Sequence, residues 1–85
     1  MPGAVLLDVR ERDEYAAGHI PGSVNLPLSE LHSAEDRFPD TDTPLFVYCL
    51  SGARSGKAIA ALKEMGYTKL TNLGGIRAWR GEIEK

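Results

Sequence analysis

The chain has 85 residues, 42% hydrophobic and 26% charged, and its ten Lys and Arg against twelve Asp and Glu leave a formal net charge of -2. So short a chain builds one core, since either half would approach the ~40 residues below which unaided folding usually fails, and residues 1–85 are read as a single domain. Its dispersed basic residues exclude a nucleic-acid-binding stripe, no apolar run approaches the ~18 residues of a membrane span, and no basic and apolar leader opens the chain.

The single cysteine rules out an intramolecular disulfide, and Cys49, His19 and His32 lack the spacing of a zinc site, so neither metal nor cofactor is called for. A lone thiol suits a reducing compartment, and a cytoplasmic protein is expected.

In chain order, residues 4–7 (AVLL) and 45–49 (LFVYC) are continuous apolar runs that read as strands buried on two faces, as in parallel sheets covered by helices. Residues 11–17 (ERDEYAA) form a first helix, with acidic residues in its opening turn and Gly18 as its C-terminal cap. A turn at Pro21 and Gly22 leads into a short strand over Val24 to Leu26. Ser29 caps a second helix running toward Asp36, stopped by Pro39 and the polar turn DTDTP. Ala58, Ile59, Leu62 and Met65 recur at helical spacing opposite Lys57, Lys63 and Glu64, giving a core-facing helix closed by Gly66. Residues 69–73 (KLTNL) are a last strand, followed by a tight turn at Gly74 and Gly75 and a short terminal helix containing Ile76 and Trp79. Strands alternating with helices give an α/β domain around a mainly parallel central sheet flanked by helices.

Cys49 closes a strand and the next helix begins near Arg54, which puts the six residues CLSGAR at the strand's C-terminal end, where open α/β sheets hold their ligands. Four residues between Cys49 and Arg54 suffice for the backbone to curl around the sulfur with its N–H groups inward. Gly52 tolerates the tight curl. The helix N-terminus and Arg54 add positive charge, so the loop favours a thiolate and then an anionic substrate beside it. The same cysteine at the end of a buried strand is also consistent with an inert small hydrophobe.

The segments LLDVRERDEYAAGHIPGSVNLPLSEL, CLSGARS and YTKLTNLGGIRAWRG, in this order and covering about Val5 to Gly81, resemble the signatures of the rhodanese-like sulfurtransferases. The resemblance implies a rhodanese-like domain in which Cys49 is the persulfide-forming nucleophile. It also implies that Arg54 contributes to binding the substrate anion, and that the backbone through Leu50, Ser51, Gly52, Ala53 and Arg54 cradles the sulfur. The implied reaction carries sulfane sulfur from a small anionic donor such as thiosulfate to a thiophilic acceptor, cyanide or a thiol, with a protein acceptor as the relay version. Members of the family have a strand and helix before the LLDVR strand, where only Met1 to Ala4 stand here, so one sheet edge is expected to be uncovered or covered by a partner. Residue 50 is Leu, where many thiosulfate-using relatives resemble one another in carrying a basic side chain.

Cysteine phosphatases and arsenate reductases also hold a thiolate in an anion loop ending in arginine, but they resemble one another in spacing Cys and Arg one residue wider than the four seen here. A non-catalytic rhodanese-like binding module often lacks the cysteine that this chain keeps. Asp8 and Arg10 read as an ion pair fixing neighbouring loops, His19 as a loop-locking hydrogen-bonding residue, and His32 as exposed. Phe46, Tyr48, Tyr67 and Trp79, scattered without a basic stripe, read as core and rim.

Overall fold

The computed structural model describes residues 3–85. Four strands form one sheet: β1 (Val5–Asp8), β2 (Val24–Asn25), β3 (Leu45–Cys49) and β4 (Leu70–Gly75). All neighbours run parallel, in the order β2-β1-β3-β4. Three α-helices accompany them, α1 (Arg12–Ala17), α2 (Ala34–Arg37) and α3 (Ala53–Glu64).

The strand period of two decides what each strand contributes. Leu7 and Val9 in and after β1, and Leu45, Val47 and Cys49 in β3, point to one face, where Ala58 and Leu62 of α3 and Leu31, Ala34 and Tyr67 complete the core. Asp8 and Tyr48 point to the other face and are buried there, but Leu6 and Phe46 are only half-buried and Leu73 is 44% exposed. Burial on two faces therefore holds at the C-terminal ends of β1 and β3 and fails at their N-terminal ends.

The expected helix from Ser29 to Asp36 is instead a 3₁₀ segment, Leu28–Ser33, followed by the four-residue α2, and Ser29 makes no side-chain cap. Locally, the Ser33 hydroxyl donates to the Glu30 carbonyl at 2.8 Å, competing with the helical ladder and favouring the tighter i to i+3 winding. The expected terminal helix shrinks to a 3₁₀ turn, Ile76–Ala78, with Trp79 just beyond it and 43% exposed.

The larger difference lies at Gly74 and Gly75, which end β4 rather than forming a turn before a helix. The register slips between Val47 and Tyr48, so that Asn72 faces Val47 and Gly74 faces Tyr48, leaving Leu73 as the extra residue of a bulge. Gly74 takes φ of +83°, a left-handed value that favours glycine, and its N–H donates to the Asn72 side-chain oxygen at 2.8 Å. The bulge brings Gly75 opposite Cys49 and beneath the backbone of the loop that follows it: a β-carbon on Gly75 would lie 2.7 Å from Ser51 Cα and overlap the Leu50 carbonyl.

That close approach makes Gly75→Ala costly. The loop backbone must move aside, and overpacking of this kind costs about 1–3 kcal/mol, so thermal melts should show a loss of roughly 5–20 °C. Gly56, inside α3 with open space at its β-carbon position, is the contrast. Gly56→Ala should be neutral or raise stability by up to about 1 kcal/mol; equal losses in the two variants would refute the steric account.

Candidate functional site

At the C-terminal edge of the sheet, β3 ends in Cys49 and the chain turns through Leu50, Ser51 and Gly52 into α3. Gly52, at φ +103°, supplies the left-handed step that begins the helix. This conformation points the Gly52 N–H back at Cys49 Sγ, 2.9 Å away. Cys49 is 1% exposed and lies under the loop, with Ser55 Oγ 3.6 Å from its sulfur. Burial pushes the thiol's pKa up, but the Ser55 amide and hydroxyl and the Gly52 and Ser51 amides outweigh it and hold the pKa below the ordinary value. Of the loop amides, that of Gly52 donates directly to the sulfur, and those of Ser51 and Ser55 act on its charge. Leu50 adds its carbonyl to the contact with Gly75, and Ala53 opens α3 with an exposed side chain.

Ser55 and Asn72 were not singled out by sequence reasoning. The Ser55 hydroxyl is fully buried and lies 2.9 Å from the Gly52 carbonyl and 2.8 Å from Asn72 Oδ1, as well as near the sulfur. The hydroxyl's one proton is shared between the Gly52 carbonyl and Asn72 Oδ1 while the Cys49 thiol donates to Oγ, and ionisation of Cys49 draws the hydroxyl proton toward the sulfur. Ser55 stands directly after Arg54 in CLSGARS, a position visible in the sequence. The Asn72 contact depends on the β4 bulge and has no sequence signal.

Arg54 pairs with Glu14 of α1. Its Nη1 and Nη2 donate to the two carboxylate oxygens of Glu14 at 2.6 and 2.9 Å, with the side chains 31% and 28% exposed. This forked bond to Arg54 holds the Glu14 carboxyl at about 2, helped by the Glu11 amide, which donates to Glu14 at 2.9 Å. Asp8 is committed to Arg10, whose Nε and Nη2 donate to it at 3.0 and 2.7 Å while Nη2 also reaches the Gly18 carbonyl at 2.7 Å. Both are buried, as the reading of a loop-fixing ion pair requires.

His19 also locks a loop. It stacks on Tyr15 at 3.8 Å, and its Nδ1 and Nε2 lie 2.9 Å from the Tyr15 carbonyl and 3.2 Å from Glu84. His32 is exposed in the 3₁₀ segment. Among the described residues no group of His, Cys, Asp and Glu is arranged to hold a metal, and no helix is long and apolar enough to cross a membrane.

The sequence and the fold both have known relatives. The profile described as "Rhodanese-like domain" matches residues 1–82. The chain is 43% identical over 82 residues to the Bacillus subtilis (strain 168) protein YqhL, covering 95% of this chain and 64% of that protein. It thus spans just under two thirds of that relative. Over 72 residues it is 39% identical to the thiosulfate sulfurtransferase PspE of Escherichia coli (strain K12), covering 84% of this chain and 69% of PspE. The solved structure described as rhodanese with anions from E. coli superposes with a TM-score of 0.89 at 35% identity, covering 96% of this chain and 98% of that one. With sequence and fold in agreement, the chain belongs to the rhodanese-like domain family.

Proposed function

We propose that this protein moves sulfane sulfur from a donor such as thiosulfate to a thiophilic acceptor through a persulfide on Cys49. The observation that carries the reading is the 2.9 Å contact between the Gly52 N–H and the buried Cys49 sulfur, in a ring of amides that lowers the thiol's pKa. The name of PspE, a thiosulfate sulfurtransferase, supports the same class of donor. An ionised thiolate attacks without a histidine base. It forms an S–S bond to the outer sulfur of thiosulfate, whose own S–S bond breaks with its electron pair leaving on sulfite. The persulfide anion then occupies the space between the amides that held the thiolate. Attack on its terminal sulfur by cyanide releases thiocyanate, or by a thiolate releases a new persulfide, and either step restores the Cys49 thiolate. A protein thiol in the acceptor role makes the same chemistry a relay. Leu50, Ser51, Gly52 and Ala53 line the approach and Arg54 stands at its rim, a fixed charge within reach of an anionic donor. A lone reactive thiol suits a reducing compartment such as the cytoplasm.

Incubation with thiosulfate should raise the intact mass by one sulfur atom, and Cys49→Ser, which keeps the fold, should gain none. A wild-type chain that gains no sulfur from thiosulfate or from a persulfide is a binding module, and loading of the Ser variant would place the chemistry elsewhere.

The pH dependence has a definite sign. Because the amides stabilise the thiolate, alkylation of Cys49 by iodoacetamide should remain fast below the ~8.5 midpoint of an ordinary thiol. Removing one hydroxyl donor with Ser55→Ala should move the midpoint upward by up to about one pH unit. A wild-type midpoint at the ordinary value would contradict the role given to the loop.

A further inference from the structure

The charge at the rim is not the free cation that an arginine in an anion loop suggests. Both Nη groups of Arg54 are spent on Glu14, and Glu14 is held in turn by the Glu11 amide, so the pair is fixed from the α1 side. Glu14 ionises at about 2 and remains a carboxylate throughout the neutral range. Residues 50–53 (LSGA) bring no further cation. Arg10 is buried and committed to Asp8 and the Gly18 carbonyl, and Arg77, whose amide donates to the Leu50 carbonyl at 3.4 Å, carries its exposed side chain on the segment after β4. The amides around the sulfur therefore face outward past an Arg54 whose charge Glu14 already neutralises, so an arriving dianion gains little from it.

We propose that Glu14 is a specificity-determining residue, pinning Arg54 and turning the site away from dianionic thiosulfate toward less charged donors, the persulfides of thiols, R–S–S–H. The inference rests on the sulfurtransferase reading and names its preferred donor class. In that reaction the Cys49 thiolate attacks the outer sulfur of R–S–S–H and forms the new S–S bond. The old S–S bond breaks with its electron pair on RS⁻, and the proton stays on the transferred sulfur or passes to water. A neutral donor loses nothing by this arrangement, whereas thiosulfate finds the Arg54 charge cancelled by Glu14 and its fork already occupied. The half-buried Leu50 side chain adds apolar surface for the R group.

Glu14→Gln is the direct test, because glutamine still accepts the Glu11 amide and preserves the helix start while removing the charge. In single-turnover loading followed by intact mass, the variant should load from thiosulfate about tenfold faster than the wild type, and from a neutral alkyl hydropersulfide within about twofold of it. In an Arg54→Ala background the gain on thiosulfate should fall below about threefold, since the freed guanidinium supplies most of it. Equal slowing on both donors, or no change in their ratio, overturns the proposal and leaves Glu14 as scaffold for α1. A wild-type chain that loads from neither donor overturns the sulfurtransferase reading itself. The unaltered protein gives a second measurement should the variant fold poorly. Salt screens an attractive rim but not a neutralised one, so raising ionic strength from about 0.01 to about 0.15 M should leave loading from both donors nearly unchanged. Slowing by salt would mean an attractive rim and would overturn the proposal.

Discussion

The site depends on how closely two stretches of backbone approach each other. Gly75 at the end of β4 lies under Leu50 and Ser51, with no room for even one carbon atom between them. That contact sets how far the chain after Cys49 sinks toward the sheet, and so whether the Ser51, Gly52 and Ser55 amides converge on the sulfur. The bulge at Leu73 brings Gly75 to this place, and the Asn72 side chain secures the bulge through the Gly74 amide while also accepting from Ser55. One irregularity in a strand thus serves the fold and the reactive atom together. It explains why a buried cysteine, normally a poor acid, is shifted the other way: desolvation is real here, but the donors replacing water are fixed and nearly all on the main chain.

The charged groups form a second layer around this main-chain arrangement. Asp8 and Arg10 are fully engaged inside the molecule, bracing the end of β1 against the turn at Gly18. Asn25 adds side-chain N–H bonds of 3.0 and 2.9 Å to the Asp8 and Arg10 carbonyls, so the same segment is held from β2 as well. Arg54 and Glu14 repeat the pairing at the surface, half-exposed, where solvent competes with it. Two guanidinium–carboxylate pairs of similar geometry therefore differ in setting: the buried pair is architecture, and the outer pair, open to solvent, is the one to which the proposal above gives a role toward the donor.

Much of this was legible in the sequence because it is local. The run LFVYC matched β3 residue for residue, and the apolar spacing of Ala58, Leu62 and Met65 located α3. The turn from Cys49 through Gly52 followed from the spacing CLSGAR together with the need for a left-handed residue before the helix. What escaped had other causes. The 3₁₀ segment at Leu28–Ser33 carries a helix-like pattern, and a single Ser33 hydroxyl bond to the Glu30 carbonyl accompanies the tighter winding. Gly74 and Gly75 look like a turn unless the sheet register is known, because the reason for a glycine at 75 is a neighbour some 25 positions earlier. The partner of Arg54 lies 40 residues away, on a helix whose acidic first turn offers several carboxylates, and only the three-dimensional arrangement selects Glu14.

Those separations bear on when the site comes into being. An all-parallel sheet has no hairpins, so each strand pair closes a long loop; β1 meets β3 across about 40 residues before β4 can add to the far side. Local segments such as α3 form on their own schedule, whereas Gly75 reaches the Cys49 loop only after β4 has docked with its bulge in register. Before that moment the cysteine is an ordinary thiol on a flexible chain, with no amides arranged to ionise it. On the proposed function, nascent or partly unfolded copies would carry a sluggish sulfur, and the thiol would gain its lowered pKa only as the last strand locks in.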